Sequence, residues 1–175
     1  MTQNKKGTNK KRNSEEILKE NEKRIQEIAT NHPECSGTPI YHFDEEYHFL
    51  SNFFEQPVTV DGYSFQNGES AFQGFKDMNR IHEFAELKPG KAKRLGRKVS
   101  LRSDWEEIKV DVMKNVVFSK FSQNEELKKQ LLETNDRLLI EGNWWGDTTW
   151  GVSGGKGKNH LGEILMKVRE ELREQ

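Results

Sequence analysis

Apolar residues in this chain recur at helical spacing over long stretches and at strand spacing only over short ones, which confines the fold to helices packed on a few strands. From Ser103, the residues Trp105, Ile108, Val112, Met113, Val116 and Val117 keep a helical period to about Phe121. Leu161, Ile164, Leu165, Val168 and Leu172 form a second stripe of this kind. Shorter helices are expected over 82–87, 91–98 and 125–132, the last capped by Asn124. Ser103-Asp-Trp-Glu106 reads as a capping box for the long helix. The β-prone runs are brief. Pro57–Val60 and Tyr63–Phe65 flank Asp61-Gly62, a hairpin signal because both turn residues must tolerate positive φ. Arg137–Glu141 reads as one more strand. The expected fold is therefore a predominantly helical α+β single domain with a few short strands.

A chain of 175 residues is one ordinary domain with a tail to spare. Residues 1–13 form a basic arm, with Lys5, Lys6, Lys10, Lys11 and Arg12 and no acid, and are expected to be disordered. Residues 14–40 read as a helical extension and linker, and 41–175 as the main domain. Lys and Arg number 28 against 29 Asp and Glu, so the whole chain has no charge-driven attraction to nucleic acid or membrane. No run is long and apolar enough for a membrane span or a signal peptide, and a cytoplasmic protein is expected. Cys35 stands alone, which excludes an internal disulfide and a cysteine-based zinc site. The five histidines lack metal-binding spacing, so neither metal nor cofactor is expected.

Two clusters carry candidate chemistry. Glu69, Gln73 and Lys76 fall at i, i+4 and i+7 on a helix that Asn67 can cap, within roughly 60° of one another. Phe72, Phe75 and Met78 take the opposite side. This pattern fits either a catalytic or sugar-binding group or a solvated face. The second cluster is the irregular stretch Gly142–Asn159, long for a compact domain, with Asp147 and three of the four tryptophans. Rings beside a carboxylate suit a planar nitrogenous ligand, although at least one tryptophan is expected to be a loop anchor, Trp144 first. Ser153–Asn159, with Lys156 and Lys158, runs into the last helix and fits either a phosphate cradle or a plain flexible loop. Its spacing is not that of a P-loop. Arg94 and Arg97 are further phosphate contacts or surface charges.

A spaced series then resembles a known family. Leu50-Ser-Asn52-Phe53, Val60-Asp-Gly62, Glu69-x-x-Phe-Gln73-x-x-Lys76, Leu95-Gly-Arg97, Asp104-Trp105, Asp147-x-x-Trp150-Gly151 and Gly157-Lys158-Asn159-x-Leu-Gly162-x-x-Leu-Met166 occur in that order. Over residues 41–173 this looks like the NADAR domain, the YbiA/RibX-type N-glycosidase family. The resemblance implies a YbiA-like fold and cleavage of the C–N bond between a phosphoribose or ADP-ribose and a base, as in phosphoribosylamino-pyrimidine intermediates of riboflavin synthesis. It also implies Glu69 and Asp147 as acid/base carboxylates and Lys76 as a sugar-proximal amine. Trp105 and Trp150 would line the pocket, Asn52 and Asn159 would orient the ligand, and Phe53, Gln73 and Gly151 belong to the same motifs.

Two alternatives stay open. One is an ADP-ribosyl-guanine hydrolase on DNA, an antitoxin to a DNA ADP-ribosyltransferase. The other is a module that binds NAD or ADP-ribose without cleaving it. Oligomeric state is not readable.

Overall fold

In the computed structural model, the described residues are 14–175, with side chains described from residue 19 onward; the basic arm lies outside them. Helix α1 (Ser14–Thr30) leads into strand β1 (Ile40–Tyr41), a 3-10 helix (Glu45–Leu50) and the hairpin strands β2 (Val58–Val60) and β3 (Tyr63–Phe65). Next come α2 (Gly68–Gly74), a 3-10 turn (Ile81–Phe84), α3 (Pro89–Gly96), α4 (Trp105–Ser122) and α5 (Glu125–Glu133). Strand β4 (Leu139–Ile140) and helix α6 (His160–Arg173) complete the order. Helices dominate, as the periodicity predicts.

Local chemistry explains most element boundaries. Asp61 and Gly62 have φ of 50° and 82°, and the antiparallel register Val60↔Tyr63 closes a two-residue hairpin over them. Asn67 caps α2 by accepting from Ser70 N at 2.8 Å, and Asn124 caps α5 by accepting from Leu127 N at 3.0 Å. The capping box at Ser103 does not form. Helix α4 begins at Trp105, and its N-cap residue Asp104 makes no side-chain cap bond. Both Asp104 oxygens are instead taken by Arg102, at 2.6 and 3.0 Å, while Glu106 pairs with Lys109. The 82–87 helix shrinks to the 3-10 turn, and α3 starts earlier than expected because Pro89 suits a first helical position.

Val116, Val117 and Phe121 of α4 meet Leu165 and Val168 of α6 in the core, with Leu139 and Ile140 of β4; all are essentially inaccessible. Each such side chain contributes roughly 1.5–3 kcal/mol on burial. Strand β4 pairs in parallel with β1, Ile40 against Leu139 and Tyr41 against Ile140. That pairing joins the chain after residue 41 to the chain after residue 140. Helix α1 docks through Ile28 and reaches the glycine-rich loop: Asn21 accepts from Gly155 N at 2.8 Å, and Arg24 Nη2 donates to Gly157 O at 2.6 Å. Among the described residues, no helix is long and apolar enough to cross a membrane.

Candidate active site

Helix α2 forms the floor of a cavity of about 690 Å³, within the ordinary range for small-molecule sites, about 300–1,000 Å³. All of α2 is buried, so its polar side chains are functional candidates and not a solvated face. Glu69 N donates to Asn52 O at 3.0 Å, and Gln73 Nε2 donates to Glu69 Oε1 at 2.9 Å. Burial pushes the Glu69 carboxyl above the usual carboxylate range, against the Gln73 bond and the charges of Lys93 and Lys76. Lys76 is half-buried, its Nζ 5.9 Å from the Phe72 ring centroid and 5.8 Å from that of Trp105. Burial draws its pKa down, while Glu69 opposes the shift.

Asp147 lines the same cavity. Its Oδ1 accepts from Thr149 N at 3.0 Å and Trp150 N at 2.9 Å, a turn that fixes the carboxylate. Asn143 locks the segment, accepting from Asp147 N at 3.0 Å and donating to Asp147 O at 2.8 Å. Glu69 and Asp147, distant in sequence, thus line one cavity, as do Lys76, Gln73, Asn52, Phe53, Arg97 and Trp150.

Other residues expected at the site sit elsewhere. Arg94 does not line the cavity; Lys93 in the last turn of α3 and Arg97, the C-cap residue just after it, do. Trp105 is buried behind Phe72, ring centroids 5.1 Å apart, and supports the wall without reaching the cavity. Asn159 is fully buried and bonds backbone: Oδ1 accepts from Glu141 N at 3.0 Å and Nδ2 donates to Leu139 O at 2.9 Å. Gly151 permits close packing, since a Cβ there would strike the carbonyl oxygen of Glu141. Lys156 and Lys158 are exposed and away from the cavity.

The expected phosphate cradle is not formed by that loop. Gly155 N and Gly157 O are engaged by α1. At the start of α6, His160 N and Leu161 N donate to Thr149 O and Trp150 O, at 3.3 and 2.9 Å. The cavity's cationic side is instead Lys76, Lys93 and Arg97.

The tryptophan assignment also changes. Trp150 is the anchor, packed edge-on against Phe72 at 5.1 Å. Trp144 is 80% exposed and Trp145 52%, and both stand at the cavity mouth because the loop turns them outward beside Gly146. Lys93 Nζ lies 5.4 Å from the Phe53 ring and 5.8 Å from the Trp145 ring, spanning the two sides of the mouth.

Sequence reasoning missed His42, Asp44, His48 and Glu141, all of which line the cavity. The β1–β4 pairing assembles this wall: His42 N donates to Ile140 O at 3.2 Å, and His42 Nδ1 lies 2.9 Å from Gly142 O. Burial, with the nearby Asp147 charge, pushes Glu141 up to about 8. Lys120 is buried and drawn down to about 7 by desolvation; its ammonium holds Phe49 O and Ser51 O at 2.6 and 2.8 Å, bracing the segment that supplies Asn52 and Phe53. Away from the cavity, His32, Glu34 and Cys35 bring donor atoms within 4.8 Å, but both His32 ring nitrogens are engaged by Glu34 and Glu163.

The NADAR domain model matches residues 40–173. The chain belongs to the NADAR family. It is 39% identical over 139 residues to the N-glycosidase YbiA of Escherichia coli, covering 76% of this chain and 86% of that one. The NMR structure of E. coli YbiA has a TM-score of 0.71 at 36% identity, covering 80% of this chain and 89% of that one. A riboflavin biosynthesis protein of Vibrio vulnificus is 42% identical over 144 residues, 78% of this chain; the match spans 39% of that longer protein. Named N-glycosidases thus cover most of this NADAR chain at both levels, and it is a hydrolase of N-glycosidic bonds.

Proposed function

We propose that this NADAR protein hydrolyses the C–N bond between a phosphorylated ribose and a nitrogenous base, with phosphoribosylamino-pyrimidines of riboflavin synthesis as the substrate class. The reading rests chiefly on Glu69 and Asp147 facing one cavity sized for a ribosylated heterocycle. Lys76, Lys93 and Arg97 supply the charge for a phosphate. Relatives bearing riboflavin biosynthesis names support the pyrimidine. The lone free Cys35 suits a reducing compartment such as the cytoplasm.

Stretching the C1′–N bond leaves positive charge on the sugar, and water must arrive as the base departs. Glu69, oriented by Gln73 and made more basic by burial, takes the water proton and faces the sugar cation. Asp147, with Oδ1 committed to backbone, offers its other oxygen to the ribose hydroxyls. Base release from a phosphoribosylamino-pyrimidine, run beside an ADP-ribosylated oligonucleotide, tests the substrate. The pyrimidine is expected to turn over faster; preference for the oligonucleotide transfers the assignment to DNA.

The half-buried Lys76 amine supports a second route, addition to the opened sugar at C1′ as an imine. Lys76→Arg separates the two. Turnover retained within about tenfold indicates charge pairing. Loss of turnover, with a borohydride-trapped sugar adduct on the unmodified protein, indicates the imine.

A further inference from the structure

Besides the exposed Asp44, Glu141 is the cavity carboxyl that the proposed mechanism leaves unused. Its backbone is clamped at both ends: its N–H donates to Asn159 Oδ1 at 3.0 Å, and its carbonyl accepts from Val152 N at 2.8 Å. The side chain is therefore aimed by the fold. It lines the same cavity as Glu69 and Asp147, and its Oε2 is buried with no hydrogen-bond partner. A buried oxygen left so is costly, and a fold retains such a group where a ligand will meet it.

We propose that Glu141 is the general acid of this site, delivering a proton to the base as the C1′–N bond breaks. This rests on the N-glycosidase reading above. The bond's electron pair leaves with the base nitrogen, and the Glu141 carboxyl proton is transferred to the base. Water oxygen bonds to C1′, and its proton passes to Glu69. Base and ribose phosphate result, and exchange with solvent returns a proton to Glu141 and removes one from Glu69. The step is needed equally if Lys76 opens the sugar first.

The two acids are held apart in role by their surroundings. Burial raises both carboxyls, but Glu69 accepts a hydrogen bond from Gln73 and feels the Lys93 and Lys76 charges, all of which favour its anion, whereas Glu141 has no donor on Oε2. The charged groups around Glu141 are Asp44, Asp147, Lys93 and Lys120. His42 and Glu69 line the same cavity. Burial pushes Glu141 up to about 8, and the largest influence after burial is the Asp147 carboxylate, which disfavours a second anion.

The test compares two leaving groups. An N-ribosylpyridinium 5′-phosphate releases its base as a neutral molecule without a proton, whereas a phosphoribosylamino-pyrimidine needs one. Glu141→Gln, nearly the same shape, is expected to lose about 100-fold or more in kcat/KM on the pyrimidine and less than about threefold on the pyridinium. The unmodified protein should lose pyrimidine activity as pH rises through about 8, and the variant should lack that limb. Equal losses on both probes, or no loss on the pyrimidine, would overturn the proposal.

If neither probe is cleaved by the unmodified protein, the hydrolase reading with these substrates fails separately. A carbon-13 titration of labelled glutamate then decides Glu141 itself. A carboxyl resonance titrating near 8 and absent from Glu141→Gln supports the acid, and a resonance already ionised at pH 7 overturns it.

Discussion

Glu69→Gln is expected to lower turnover by about a thousandfold while the protein folds and binds ligand as before. The amide preserves the acceptor that Gln73 Nε2 uses at 2.9 Å, so α2 keeps its internal bond. What disappears is the base. The variant should also be at least as stable near neutral pH. Burial raises the folded-state pKa of Glu69, so above the ordinary carboxylate pKa the unfolded chain gives up its proton first, and stability falls as pH rises through that window. Removing the group removes that slope. Thermal melts at several pH values, with base-release kinetics, check both halves. Near-normal turnover would take Glu69 out of the mechanism.

Asn159→Ala should produce the largest loss of stability. Its amide bonds Glu141 N and Leu139 O inside the core, and its φ of 55° is left-handed. Alanine strands two buried backbone groups at about 1–3 kcal/mol each and adds roughly 1–2 kcal/mol of backbone strain. A loss of about 3–8 kcal/mol follows, read as a melting temperature lower by roughly 10 °C or more. A ligand-orienting residue would behave differently, raising KM with little change in the melt.

What could be read in the sequence was mostly local. Asn67 and Asn124 cap as their positions indicate, Asp61-Gly62 turns a hairpin, and Glu69 and Gln73 reach the same cavity because helical geometry fixes their spacing, with Lys76 following in the turn that ends α2. The missing wall depended on a parallel pair only two residues long, Ile40–Tyr41 on Leu139–Ile140, which no periodicity reveals. His42, Asp44 and Glu141 enter the cavity through that contact. Lys93 was legible in principle, four residues before Arg97, which caps the same helix. Asn159 and the glycine-rich loop misled for the opposite reason: their polar, flexible chemistry suits an anion, but α1 and β4 had already claimed its hydrogen bonds. The Ser103 capping box failed because stronger charge pairs, with Arg102 and Lys109, were available to its acids.

The pair of indoles at the cavity mouth has a practical consequence. Trp144 and Trp145, with ring centroids 5.0 Å apart, emit into solvent, while Trp105 is shielded. An occupant reaching the mouth would dehydrate them, so intrinsic fluorescence should shift to the blue or quench on binding. The signal would need no label and no turnover, making it a direct gauge of which ribosylated molecules the cavity admits.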